Sequence, residues 1–110
     1  MSYSVKKNTI YLTRGDTFRA TIALKDAEGE IYTPTAGESI RFAMKKHYED
    51  AEPLLLINVP IDTLELVILP ADTKDLAFGD YVWDMQITRE NGDIDTFITK
   101  AQLVLTEEVE

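Results

Sequence analysis

The sequence predicts an all-β fold, with seven or eight short strands packed as a two-sheet antiparallel sandwich or a barrel. Three observations carry that prediction. Apolar residues recur at every second position in one segment after another, as Tyr81, Trp83, Met85 and Ile87 do. Turn-forming residues separate these segments at short intervals. No segment has the apolar stripe of a long amphipathic helix. A chain of 110 residues is long enough to bury a core without disulfides or metal, and no composition break or internal repeat divides it. Residues 1–110 are therefore read as a single β-sandwich domain, with 1–7 and 107–110 as flexible ends.

The elements follow in order. Residues 8–13 (NTIYLT) form a first strand with Ile10 and Leu12 in one phase, and Arg14-Gly15-Asp16 turns the chain. From 16 to 24 the even positions Phe18, Ala20, Ile22 and Leu24 are apolar, which describes a strand with one wet face. Asp26-Ala27-Glu28-Gly29-Glu30 is a turn, and Ile31-Tyr32 pairs briefly before Pro34 and Gly37 end the run. Residues 39–46 alternate again, with Ile40, Phe42 and Met44 inward and Arg41 and Lys45 outward.

Leu54-Leu55-Leu56-Ile57 shows no alternation. Four residues between Pro53 and Pro60 are too few for a helix, so the segment is read as a strand covered on both faces. Residues 64–69 (LELVIL) make another strand, ended by Pro70. One helical turn is expected near residues 72–76, with Asp72 capping it, Asp75 as an imperfect capping-box partner, and Leu76 and Phe78 pinning it to the core. Gly79 ends that turn. The alternating run to Ile87, the Asn91-Gly92 turn and the run Ile94, Thr96, Ile98 then spell a β-hairpin. Residues 101–106 (AQLVLT) supply a last strand before the acidic tail.

Composition narrows the function classes. The chain has no cysteine, which removes disulfides, thiolate nucleophiles and thiolate zinc clusters together. A net charge of −9 sets the protein against phosphate backbones and anionic membrane surfaces, so neither nucleic acid nor membrane is expected as a partner. No apolar run approaches the roughly 18 residues of a membrane helix, and no apolar stretch follows Lys6-Lys7 as in a signal peptide. Synthesis in the cytoplasm is expected.

Candidate reactive groups are few. The one histidine, His47, lies in a polar run with no nucleophile beside it, which reads as a solvated loop residue rather than a general base. Asp62, Asp72, Asp75, Asp80, Asp84, Asp93 and Asp95 offer many carboxylates, but sequence alone makes no two converge, and turn aspartates account for them. The run 91–95 resembles a fragment of a calcium loop without its carboxylate ladder or bidentate glutamate. Arg14-Gly15-Asp16 matches an integrin-recognition tripeptide, yet is sufficiently explained as a turn. Tyr81 and Trp83 share the phase of Met85 and Ile87, so they are expected between two sheets, with Asp84 and Gln86 facing outward. No catalytic, cofactor-binding or metal-ligating residue is assigned, and no cofactor is expected.

One resemblance spans the chain from about Thr9 to Thr106. Arg14-Gly15-Asp16-Thr17-Phe18 opens a strand, Glu28-Gly29 follows at a turn, and 40–46 (IRFAMKK) is central. Then come 69–76 (LPADTKDL), 79–87 (GDYVWDMQI) and a closing hairpin with Gly92 and Thr96. This order resembles small β-sandwich modules of tailed bacteriophages and prophages, in particular the N-terminal domain of baseplate upper proteins. The resemblance implies an immunoglobulin-like or related sandwich, no catalytic residues, and a building-block role in the virion tail. The larger relatives carry a stalk and receptor-binding head after the sandwich. Their absence here leads to the expectation of an assembly or adaptor piece acting on other tail proteins and on itself as a homo-oligomer.

Two rival classes fit the same sequence. A carbohydrate- or cell-surface-binding module predicts Tyr32, Tyr48, Tyr81 or Trp83 exposed in a concave patch. A glycosidase-like enzyme, ranked last, requires two facing carboxylates in a cleft.

Overall fold

The computed structural model describes residues 3–6, 8–25 and 28–107. It is all-β apart from one helical turn. The strands are β1 (Tyr3–Lys6), β2 (Thr9–Thr13), β3 (Phe18–Thr21), β4 (Ser39–Lys45), β5 (Leu55–Val59), β6 (Glu65–Ile68), β7 (Gly79–Thr88) and β8 (Ile94–Thr106), with helix α1 (Pro70–Thr73) between β6 and β7. Six strands form one sheet in the order β1-β2-β8-β7-β4-β5, and β3 pairs with β6 in a second. The larger sheet curls as a half-barrel.

Strict alternation explains where the core lies. Ile40, Phe42 and Met44 on β4 and Tyr81, Trp83, Met85 and Ile87 on β7 all point to one side and are buried. Phe18 from β3 and Leu66 and Ile68 from β6 join the same apolar cluster, so the small sheet covers the inner face of the large one. Trp83 is only 5% exposed. Its ring centroid lies 5.4 Å from that of Phe42, and its indole N–H donates to the Gln102 carbonyl at 3.1 Å. Tyr81 is likewise buried with its hydroxyl satisfied, donating to the Ala77 carbonyl at 2.6 Å. Burial raises the Tyr81 phenol above its ordinary pKa.

The structure differs from the sequence reading in five places. First, the large sheet is not wholly antiparallel. β2 runs parallel to β8, pairing Ile10 with Leu103 and Leu12 with Leu105, because a long excursion through the other strands returns the chain in the same direction. Second, no strand is expected within 1–7, yet Tyr3–Lys6 pair with β2 as β1. Met1, Ser2 and Lys7 lie outside the described residues, as do Asp26 and Ala27 of the expected turn and residues 108–110 of the tail. Third, the two runs expected on either side of residue 100 are one strand. β8 carries two register shifts against β7, with Thr99-Lys100 opposite Asp84 and Phe97 inserted between Ile98 and Thr96. Lys100 has φ 50°, the left-handed conformation of a bulge residue. The insertions flip the phase, so Ile98 turns inward while Ile94 and Thr96 face solvent.

Fourth, the helical turn starts two residues early. Pro70 occupies the first helical position, where its missing N–H costs nothing, and Leu69 stands at the cap. Asp72 is therefore the third helical residue and its carboxylate accepts from the Leu69 N–H at 2.8 Å, one arm of a capping box. Leucine has no side-chain acceptor to return the bond, and its carbonyl takes the Asp72 N–H instead, at 2.9 Å. Leu76 packs against the core as expected, but Phe78 is exposed, with the Arg14 guanidinium 4.1 Å from its ring centroid. Fifth, β5 is a strand as expected but not one covered on both faces. It is the last strand of the large sheet, and Leu56 on its outer side is 55% exposed.

The remaining turns follow their chemistry. Gly15 (φ 85°) completes the turn in which the Asp16 N–H donates to the Thr13 carbonyl. That turn is docked rather than displayed. The Gly15 N–H donates to the fully buried Thr73 hydroxyl at 3.0 Å, and Arg14 donates to the Leu76 carbonyl at 3.2 Å. At the hairpin tip, the Gly92 N–H donates to the Arg89 carbonyl and the Arg89 N–H to the Asp93 carbonyl. Gly92 (φ 95°) supplies the left-handed residue of a three-residue loop.

Candidate interaction surface

The outer face of the large sheet gathers the groups most able to meet a partner. Outward positions on β4 are Arg41, Ala43 and Lys45, and those on β7 are Val82, Asp84 and Gln86. Register sets Ala43 between Leu56 and Asp84, and Lys45 beside Val82. Because Ala43 is so small, a hollow of about 210 Å³ opens over it, edged by Lys45, Tyr48, Val82, Trp83 and Asp84.

Tyr48 sits on a tight turn after β4. The Asp50 N–H donates to the His47 carbonyl at 3.1 Å, and the His47 N–H donates to the Asp50 carboxylate at 3.0 Å. The turn holds the ring 46% exposed, with the Lys100 ammonium 5.0 Å from its centroid. The positive φ of Lys100 is thus part of what aims its side chain across the sheet at Tyr48. A second, shallower hollow lies alongside, lined by Lys46, His47, Asp80, Lys100 and Gln102. Lys46 donates to the Asp80 carbonyl at 3.0 Å and stands 4.6 Å from the centroid of Tyr81. A strongly acidic protein thereby places three lysines, one histidine and one exposed aromatic ring around two adjoining depressions.

The predicted candidates fall as follows. His47 is exposed on its turn, and Asp62, Asp75 and Asp80 are exposed on turns and a strand start. Asp72 caps α1. Asp84 is half-buried at the hollow, while Asp93 and Asp95 lie at the far hairpin tip, where Asp95 pairs with Arg89 at 3.0 Å. The structure brings no two of these aspartates to face one another across a cleft. Among the described residues, no group of three or more His, Asp or Glu side chains is placed to hold a metal ion. Arg19 and Glu65 face outward as expected, paired at 3.3 Å, and Arg41 faces outward with a 2.6 Å bond to Gln86.

Sequence reasoning missed a polar latch at the base of the hairpin. The buried Glu38 carboxylate accepts from the Tyr32 hydroxyl at 2.6 Å, the Thr35 N–H at 3.0 Å and the Arg89 guanidinium at 3.1 Å. Arg89 also stacks 4.9 Å from the Tyr32 ring centroid. The Tyr32 hydroxyl bond, the Thr35 amide and Arg89 together hold the Glu38 carboxyl below its ordinary pKa, outweighing burial. The same carboxylate holds the Tyr32 phenol above its own. The latch ties the loop before β4 to the β7–β8 hairpin. Its one sequence signal is that any pairing of Ser39 with Thr88 must set Glu38 beside Arg89. No family model matches this chain, and no curated protein matches it.

Proposed function

We propose that the two sheets make an immunoglobulin-like or related sandwich, and that the chain is a non-enzymatic structural module of a phage or prophage tail. In this reading it resides in the virion tail and works through protein–protein contacts with other tail proteins and with itself. What supports the reading is the order of motifs from Arg14 to Thr96 that resembles baseplate-type modules. The single structural observation favouring contact over chemistry is the pair of adjoining outer-face hollows, where Lys45 edges the one that holds Tyr48, Lys46 and Lys100 line the other, and Lys100 reaches the Tyr48 ring, on a protein of net charge −9. Such a patch suits an acidic partner surface and a salt-sensitive encounter.

Co-expression with the products of neighbouring tail genes, followed by size-exclusion chromatography, tests this. Co-elution with a tail protein is expected, weakened by added salt and by Lys45→Glu with Lys100→Glu. Failure of every such protein to co-elute sinks the proposal.

Tyr48 supports a second reading, that of a carbohydrate- or cell-surface-binding module, since this ring lies open beside Asp84 and Lys45 at a hollow. Trp83 borders the same hollow but is only 5% exposed, with its ring packed on Phe42, so acrylamide should quench its fluorescence only weakly. A glycan titration that shifts the NMR signals of Tyr48, and fails with Tyr48→Ala, would favour this second function.

A further inference from the structure

The two sheets leave a cavity of about 260 Å³ at one side of the core. Its floor is apolar and buried: Ile10, Phe18, Leu66, Trp83 and Met85 are each no more than 5% exposed. Topology explains why the space is open. β3 pairs only with β6, and residues 94–101 of β8 pair only with β7. Among the described residues, no backbone ladder therefore joins the free edge of β3 to β8. Ala20 faces inward between Phe18 and Ile22 and is too short to fill the gap, and the bulged part of β8 turns Ile98 into its wall.

Three properties specify an occupant. Size is the first. An apolar cavity of about 150 Å³ accepts benzene, so one of about 260 Å³ takes a phenyl ring with a short alkyl arm. Phe18 and Trp83 offer such a ring aromatic surface, and Met85 offers a polarisable sulfur. Charge is the second. Charged residues make up 28% of the chain, yet none of the described residues bounding the cavity carries a charge. An ion entering it would lose hydration with no counter-charge to replace it, so the fitting ligand is neutral. The third property is Asn8 at the mouth. Its side-chain amide is exposed and has no hydrogen-bond partner among the described residues, which leaves both a donor and an acceptor for a ligand hydroxyl.

We propose that this cavity is a binding site for a small neutral amphiphile, its ring and alkyl arm held against Phe18, Trp83 and Met85 and its one hydroxyl left at the mouth on Asn8. The site lies on the inner side of β7, opposite the outer-face hollows, and it does not depend on the tail-module reading. A net charge of −9 repels anions, but it does not oppose a neutral ligand.

Titration of the whole chain with 4-butylphenol, followed by NMR, tests this. Saturable shifts are expected at the methyl groups of Ile10, Leu66 and Ile98 and at the Trp83 indole. The compound 4-butylbenzoate has the same apolar body with an ionised carboxylate at neutral pH, and it should bind roughly tenfold more weakly or worse. Asn8→Gly accepts the positive φ of 69° and removes the amide. It should weaken 4-butylphenol roughly three- to tenfold and leave butylbenzene, which has no hydroxyl, unchanged. Ala20→Leu fills the space and should abolish binding of the phenol. Asn8 is exposed, so Asn8→Gly decides the matter if circular dichroism shows Ala20→Leu unfolded.

No saturable shift with 4-butylphenol, shifts confined to residues outside the cavity, or a benzoate that binds as tightly would overturn the proposal. Wild-type affinity for the phenol in Asn8→Gly, or in a folded Ala20→Leu, would do the same. Tail-protein co-elution succeeds or fails independently of every one of these results.

Discussion

β7 and β8 are partners along the same hairpin, and they obey different rules. β7 holds an unbroken period of two over Gly79–Thr88, with Tyr81, Trp83, Met85 and Ile87 all buried. β8 changes phase twice in 13 residues, burying Ala101, Leu103 and Leu105 at one end and leaving Ile94 60% exposed at the other. Neighbours explain the difference. From Val82 to Thr88, the stretch opposite the β8 insertions, β7 lies between β4 and β8, so an extra residue there would disrupt two ladders at once. β8 has β2 beside it only from Leu103 to Thr106, and its insertions fall where β7 is its sole partner. Regularity is enforced where a strand is enclosed, and is relaxed where one side is open.

That contrast can be broken or sharpened by substitution. The largest effect is expected at the enclosed strand. Trp83→Ala removes an indole packed on Phe42 and should cost about 3–5 kcal/mol in urea unfolding. A loss below ~1 kcal/mol would mean that the indole is not part of the core.

A smaller effect should come from Glu38→Gln at the hairpin base, and it should depend on pH. The folded Glu38 carboxyl titrates below its usual 4.5, so its contribution is complete above about that pH and disappears as pH falls toward the folded value. Wild-type stability should therefore drop more steeply than that of the variant across the acid range below 4.5. Parallel stability–pH curves would rule out the latch as the source.

Gly92→Ala at the tip should cost about 1 kcal/mol, purely through the positive φ of 95°, since a Cβ there meets nothing within 4 Å. At the open end of β8, Ile94→Ser should lie within about 0.5 kcal/mol of wild type by chemical denaturation. A larger loss would show that the projecting end is enclosed after all.

These two strands also mark what was legible in the sequence. β7 was readable because alternation survives in an enclosed strand, and it correctly placed Tyr81 and Trp83 inside and Asp84 and Gln86 outside. The same logic located β4 and the inward phase of Phe18, Ala20, Ile22 and Leu24. The bulges in β8 were not legible, because an inserted residue erases the period on which the reading depends. Nor was the parallel pairing of β2 with β8, since alternation assigns faces and says nothing about neighbours. The cap of α1 was misassigned because Asp72 suits both the cap and the third helical position, and Pro70 at the first position decides between them.

The candidate surface was less readable still. Lys45 and Tyr48 were identifiable as outward or exposed candidates, but Lys100 reaches Tyr48 only through a left-handed residue inside a strand. Glu38 and Arg89 are 51 positions apart, and their bond needs the strand register to be known first.

The parallel contact between β2 and β8 has a consequence for the order of assembly. The Leu12 carbonyl accepts from the Thr106 hydroxyl, a pair 94 positions apart. On a ribosome, β2 can pair early with β1, but its other edge must wait unmet until the chain as far as Thr106 has emerged. Closing so wide a loop is entropically slow, so β2 should be among the last strands to gain protection from hydrogen exchange during refolding. Until then it is a ready acceptor for a stray strand, and dilution or a chaperone should raise the refolding yield more than any gain in final stability.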